Sequence, residues 1–274
     1  MDVTSSFLCT NVGAVLAARP EGAQEDDSST AHLWRLRRAE IDRLRDLLRP
    51  ERRILELGGS NGFQASILSS WGHDVTSLDV TPPAPGTTYF HPVMPYDGKI
   101  IPYGNCSFDV VFSSHVLEHV EELDALLRET SRVLEAGGHA VHILPSPAWR
   151  FWTSIAHYAY VLLRAVGVRR AIPSGLVPSV AEKMRHRGLW YVVRRALAAG
   201  PHGVYPSALS ELYYFSRRRW ETMFRKHGFK VLEVAAGGLF YTGYGLLPCL
   251  SLRVRKMLAK AVGSATYVYL LQKT

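Results

Sequence analysis

Residues 53–62 read Arg53-Ile-Leu-Glu-Leu-Gly-Gly-Ser-Asn-Gly62, an apolar strand running directly into a glycine-rich turn. Glycines in such a turn let backbone approach a ligand closely, and some take positive φ. A helix over 63–70 follows, so its free backbone N–H groups and positive dipole end face the turn and favour an anionic group there. A second strand over 73–79 ends at Asp79, 21 residues after Gly58. A carboxylate at that place can accept both ribose hydroxyl hydrogens of a nucleoside. Strand, turn, helix and delayed acid together form a far stronger signal than the turn alone.

Outward from this unit the pattern repeats. Strands are predicted over 88–93, 108–113 and 139–144, with a helix over 121–134 that Gly137 and Gly138 end as C-cap residues. Upstream, Thr30 is expected to cap a helix reaching Arg49, and Pro50 stops it. Downstream, Ser216 caps a helix to His227, a strand covers 229–234, a basic helix lies near 250–262, and a last strand covers 265–272. Alternating strands and helices indicate a parallel, doubly wound sheet covered on both faces. Residues 148–212 interrupt the alternation. Aromatic and basic, with helices expected near 151–167 and 179–198, they read as a helical, acceptor-binding insertion between 30–147 and 213–274. Residues 1–29 read as a flexible N-terminal segment.

Composition narrows the class. The three cysteines, Cys9, Cys106 and Cys249, form no metal-type pair and no disulfide framework, which fits a cytoplasmic protein. No apolar run reaches membrane-spanning length, and no basic residue precedes the mildly apolar 7–18 as a signal peptide requires. Charge divides sharply. Residues 1–149 carry 12 basic against 20 acidic side chains, a net of −8, and residues 150–274 carry 20 against 4, a net of +16. A basic half attracts phosphate groups, an anionic membrane surface or nucleic acid; its bland reading is a solvated surface.

The turn has the spacing E-x-G-x-S-x-G on Glu56, Gly58, Ser60 and Gly62, not the G-x-G-x-x-G of a dinucleotide fingerprint. It resembles motif I of the class I S-adenosylmethionine-dependent methyltransferases. Tyr96-Asp-Gly-Lys-Ile-Ile-Pro102 resembles that family's D-x-x-x-L-P segment. Phe108-Asp-Val-Val with Ser113-Ser-His-Val-Leu-Glu-His-Val120 resembles its fourth-strand motif, and Arg132-Val-Leu-Glu-Ala-Gly-Gly138 its R-V-L-x-P-G-G. The likeness is strongest to the type 11, quinone-methylase-like subgroup. It implies an α/β fold with a Rossmann-like, seven-stranded, mostly parallel sheet whose last strand is antiparallel, and S-adenosylmethionine as cofactor. By the same resemblance Gly58, Gly59, Ser60 and Gly62 line the methionine portion, Glu56 orients the loop or the ammonium, and Asp79 holds the ribose. Asp97 and Gly98 contact adenine, and Ser114 borders the sulfonium. Ser60 and Ala136 depart from the family's glycine and proline; serine fits if its φ is negative.

Methyl transfer needs an aligned, dry acceptor, and a hydroxyl acceptor benefits from a general base. His115 and His119, just past the fourth strand, are the candidates; the bland reading of either is packing. The string His115-x-x-Glu118-His119 also spells a metalloprotease pattern, but its setting in a methyltransferase pattern argues against that. Some quinone O-methylases carry E-x-x-E-H there and bind a divalent metal; His115 replaces the first acid, so a metal site stays open without support and no metal ligand is assigned. In the insertion, Trp149, Phe151, Trp152, Tyr158, Tyr160, Trp190 and Tyr191 interleave with Arg164, Arg169, Arg170, Lys183, Arg185, Arg187, Arg194 and Arg195. Such a mixture suits a phosphate-bearing or lipid-linked small molecule, or peripheral contact with an anionic membrane. The expected reaction is methylation of an oxygen on a glycan, lipid-linked or quinone-type precursor. An RNA or other nucleic-acid substrate is the alternative, weakened by the lack of an RNA-binding module or an N/D-P-P-Y segment at 114–116. A non-catalytic cofactor-binding protein is the second alternative.

Overall fold

The computed structural model describes residues 27–48, 52–81, 88–165, 199–244 and 250–274. Helix α1 (Asp27–Ile41) continues into a 3-10 turn (Asp42–Leu44). Strand β1 (Arg53–Leu57), helix α2 (Phe63–Ser70), strand β2 (Asp74–Asp79) and the short strand β3 (Val93–Pro95) follow. Then come β4 (Phe108–Ser114), α3 (Leu123–Val133), β5 (Leu134–Pro145) and α4 (Pro147–Ala165). The chain closes with α5 (Ala208–Tyr214), α6 (Arg217–Lys226), β6 (Phe229–Ala236), α7 (Leu252–Val262) and β7 (Thr266–Lys273).

The seven strands lie in the order β3-β2-β1-β4-β5-β7-β6. β1 to β5 run parallel, and β7 inserts antiparallel between β5 and β6. Successive strand residues point to opposite faces, so alternate positions feed two cores. Leu55, Leu57 and Val111 pack under α3 and α6 with Leu126, Leu127, Trp220 and Phe224. Ile54, Val110 and Phe112 pack under α2 and the 3-10 turn with Ile41, Leu44, Ile67 and Leu68. A third, smaller core joins Leu36 of α1, Trp149 of α4, Phe215, Leu239, Tyr241 and Ala265. It bridges the helices that flank the C-terminal ends of the strands. Ligands of open α/β sheets bind at that edge, where the strand order reverses between β1 and β4.

Several boundaries differ from the sequence reading. α1 begins at Asp27, so Thr30 lies inside the helix and residues 27–29 belong to it. The third strand begins only at Val93, where pairing with Ser77 of β2 starts. α3 stops at Val133, and Gly137 and Gly138 lie within β5 and do not cap the helix. The cause is Leu134: it is fully buried and pairs with Phe108 of β4, so the chain is already extended there. α4 starts at Pro147, a residue whose fixed φ suits a first helical position. α5, capped reciprocally by Ser207 and Ser210, has no counterpart in the sequence reading. The helix expected over 179–198, most of the segment 1–29, and Trp190, Tyr191 and the basic residues from Arg169 to Arg195 lie outside the described residues.

Phe224 of α6 is fully buried and stacks on Trp220 and on the His142 ring. Phe224→Ala is expected to cost about 3–5 kcal/mol of unfolding free energy, read from urea denaturation.

Candidate active site

A crevice of ≈ 480 Å³ opens at the C-terminal edge of β1, β2 and β4. Its floor is the turn Gly58 to Asn61, one side carries Asp79, Val80 and Tyr96, and the other carries Ser114 to Val116, His119 and Val120. Leu33, Trp34 and Arg37 of α1 close it from above. Trp34 stacks on Phe63 at 5.6 Å and meets Phe90 edge-on at 5.2 Å, an apolar wall at the α1–α2 side.

The turn and the acid converge directly. The Ser60 N–H donates to Asp79 Oδ2 at 2.8 Å, and the Gly58 and Gly59 N–H groups both donate to the Leu78 carbonyl. Gly58 (φ +76°) has no room for a side chain, because a Cβ would fall 2.2 Å from a Val116 methyl. At Gly59 a Cβ would strike Ser77 Oγ at 1.8 Å and Glu56 Oε2 at 2.9 Å. Glu56 therefore lies beneath the turn, not in the crevice, and accepts a 2.5 Å hydrogen bond from Ser77. Burial, aided by the field of Asp79, lifts its carboxyl to about 7 against the Ser77 bond. Gly62 (φ +77°) starts α2 behind the crevice.

Ser60 departs from the sequence reading: its φ is +52°, in the left-handed region. The Asp79 bond holds it there against a strain of roughly 1–2 kcal/mol for a residue with a Cβ. Asp97 and Gly98 do not line the crevice. The Asp97 carboxylate accepts from the Ile100 and Lys99 N–H groups, which hold it below its ordinary range, and Gly98 (φ +77°) packs on Val80.

Both candidate histidines do line the crevice. His115, at φ +56°, sits just past β4 with its N–H bonded to the Ile143 carbonyl. Its ring lies between two fully buried carboxylates, Glu40 Oε2 at 3.6 Å from Nε2 and Glu118 Oε1 at 3.6 Å from Nδ1. Burial works to raise the Glu118 carboxyl, but the facing His115 and His119 rings outweigh it and hold it below its ordinary range. Glu40, on α1, is tied by Tyr241, Thr266 and Arg37 at 2.7, 3.0 and 2.8 Å. Burial again opposes ionisation there, and the Arg37 guanidinium overcomes it, taking the carboxyl down to about 2.

His119 is the open member of the pair, 44% exposed, with Nε2 3.9 Å from Glu118. Its ring meets His202 edge-on at 4.7 Å, and His202 meets Trp149 at the same distance. His202 is held by Glu211, which accepts from the His202 and Gly203 N–H groups at 2.6 and 2.7 Å and from Arg150 at 3.2 Å. Glu118, His119 and His202 offer one carboxylate and two imidazole donors within 4.8 Å of one another. That donor set can hold a divalent cation, where the sequence reading placed no metal.

The sequence reading missed Arg37, Glu40, His202, Glu211 and Tyr241. Only Arg37-x-x-Glu40, an i,i+3 pair on a predicted helix, carried a local signal.

A seven-stranded sheet of this order, with its crevice at the switch point, defines the class I S-adenosylmethionine-dependent methyltransferases. A family model for the methyltransferase domain matches residues 30–234, and the chain belongs to that family, whose cofactor is S-adenosylmethionine. Among curated relatives, the biotin biosynthesis bifunctional protein BioHC of Cellvibrio japonicus is 27% identical over 174 residues, covering 56% of this chain. The match spans 34% of that protein, about a third of its length. A chain in the Haloferax volcanii complex of the Trm112 methyltransferase activator has TM-score 0.52 at 13% identity, covering 95% of this chain and 94% of that one. That likeness shows the fold. An S-adenosylmethionine-dependent methyltransferase from Mesorhizobium loti has TM-score 0.49 at 18% identity over 86% of this chain and 98% of its own.

Two expectations follow. Ser60→Gly relieves the left-handed strain and raises unfolding free energy by about 1 kcal/mol, measured by denaturation. For Glu56, the folded chain keeps a proton that the unfolded chain loses between pH 4.5 and about 7, so this group's contribution to stability falls as pH rises across that window and is flat above it. Glu56→Gln removes the fall. The stability of the variant relative to wild type should rise by about 3 kcal/mol from pH 4.5 to 7, and an unchanged difference would contradict the assignment.

Proposed function

We propose that this chain moves a methyl group from S-adenosylmethionine to an oxygen of a small acceptor, of the glycan, lipid-linked or quinone-precursor kind. The observation that carries the reading is the direct bond between the Ser60 N–H and Asp79, which brings the glycine turn and the nucleoside-type acid to one crevice.

The residues fit the cofactor. Asp79 presents a carboxylate suited to a ribose diol, and Gly58 and Gly59 leave backbone bare where a close approach is needed. Glu56 supports the turn from below. Arg37 lines the crevice, and its described hydrogen bonds use only Nη1, so its remaining donors can meet an anionic group such as the cofactor carboxylate. Asp97 and Gly98 act through the placement of Val80 and Tyr96. The bound cofactor supplies an already activated methyl group, so the protein has to orient the acceptor and exclude water, worth about 7–11 kcal/mol.

His119 is assigned as the proton acceptor for the acceptor hydroxyl. It is accessible from the crevice, and Glu118 behind it stabilises the imidazolium that forms, the logic of a carboxylate-backed histidine. His115, with carboxylates facing both ring nitrogens, is assigned the positioning of that pair. His202 and Trp149 border the acceptor side. The basic character of residues 150–274 suits a phosphate-bearing or lipid-linked acceptor and work at an anionic membrane surface.

The test is incubation of the full chain with methyl-labelled cofactor and cell extract, followed by identification of the labelled product. Label in a small or lipidic molecule supports the reading, and label in RNA replaces it. Asp79→Ala should weaken cofactor binding by about 1.5–3 kcal/mol in calorimetry. His119→Ala should leave that affinity intact while lowering turnover by a factor of roughly 10²–10⁴.

A further inference from the structure

Two surface helices combine features that do not belong together on an ordinary solvated face. α4 and α7 contain no aspartate or glutamate. α4 turns Phe151, Ile155 and Leu162 outward, 50%, 45% and 64% exposed. Their spacing of four and then seven residues places them on one side of the helix. α7 exposes Val254 and Met257, the latter at 64%, interleaved with exposed Arg253, Lys256 and Lys260. The helices adjoin. The Trp152 indole N–H donates to the Val262 carbonyl at 3.0 Å, and a Cβ on Gly263 would fall 2.6 Å from the Ala148 methyl. Between them opens a mainly apolar cavity of ≈ 190 Å³, lined by Trp152, Ile155, Phe240 and Leu250.

Large outward apolar side chains interleaved with cations, and without anions, match one kind of partner. The centre of a protein–protein interface is depleted of charge, lysine above all. A bilayer surface takes both groups at once: apolar side chains sink into the headgroup–acyl boundary while lysine and arginine reach lipid phosphates. The charge is complementary as well, since residues 150–274 hold 20 basic against 4 acidic side chains. No helix among the described residues is long and apolar enough to cross a membrane, so contact through these helices lies in the interface plane.

The geometry points to the α4–α7 face as a docking surface for an anionic lipid bilayer. α4 starts two residues after the end of β5, at the same sheet edge as the crevice, so docking brings the crevice mouth close to the lipid. This deepens the lipid-linked reading of the acceptor and rests on it for its purpose, but the docking itself is measurable without any acceptor.

The full chain is sedimented with vesicles of phosphatidylglycerol and phosphatidylcholine, and with vesicles of phosphatidylcholine alone. Binding to the first, release by high salt and little binding to the second are expected. Replacing Arg253, Lys256 and Lys260 together by Gln should weaken partitioning on the order of 100-fold, roughly fivefold per charge. Phe151→Ser with Leu162→Ser should weaken it further without altering circular dichroism or cofactor affinity, since neither residue lines the crevice. Equal binding to both vesicle types, wild-type binding by the charge variant, or a dimer that the same substitutions dissociate would overturn the proposal. Failure of the unsubstituted chain to bind the anionic vesicles, with methyl transfer to a soluble acceptor intact, would sink the docking surface alone. Docking without any transfer to a lipidic acceptor would sink only the acceptor reading.

Discussion

The crevice depends on one buried carboxylate. Glu40 leaves α1 and accepts hydrogen bonds from Arg37, from Tyr241 and from Thr266 on β7, with the His115 ring at 3.6 Å. An ionised carboxylate without partners is too costly to bury, so these contacts form together or not at all. They pull α1 onto the open edge of the sheet, and α1 adds the wall that deepens the switch-point groove into a crevice. Arg37 reaches the crevice because its partner one helical turn away is anchored below it.

A second buried acid does the same for the wall beside His119. From residue 150 on the chain holds only four acids, and one of them, Glu211, is fully buried against the equally buried Arg150. Its other oxygen accepts the backbone of His202 and Gly203, and Gly203 lies so close to the Glu118 carbonyl that a Cβ would be 2.2 Å away. The segment carrying His202 is thereby held against the segment carrying His119. Buried charge in this protein fixes loop positions alongside aromatic packing such as the Tyr205–Tyr214 stack.

The turn carries a different constraint. Gly58 and Gly62 take positive φ at little cost, whereas Ser60 takes it with a Cβ. The compensating bond runs to Asp79, the residue proposed to receive the nucleoside, so strain and the proposed binding chemistry share one carboxylate. His115 repeats the arrangement at the end of β4, left-handed and wedged between two acids. Non-glycine residues in such conformations cluster at functional sites because surrounding structure must over-determine them.

Local pattern was enough to mark six of the seven strands closely, most of the described helices, the glycine turn with Asp79, and both crevice histidines, because strand and helix periodicity and turn chemistry are written in neighbouring residues. Boundaries failed where tertiary contact overrode propensity: Leu134 is drawn into β5 by its burial against β4, and the glycines after it lost their apparent capping role. The left-handed Ser60 backbone was not legible, because the sequence names Asp79 as a ligand group but not as the acceptor of the Ser60 N–H. Glu40, Tyr241, His202 and Glu211 were invisible for the same reason at greater range: Tyr241 meets Glu40 across 201 residues. The sequence by itself determined the fold and the glycine-turn crevice, since both rest on the spacing of strands, turns and helices. Only the tertiary structure decided which side chains wall that crevice, because a buried polar group is defined by partners that the chain brings together on folding.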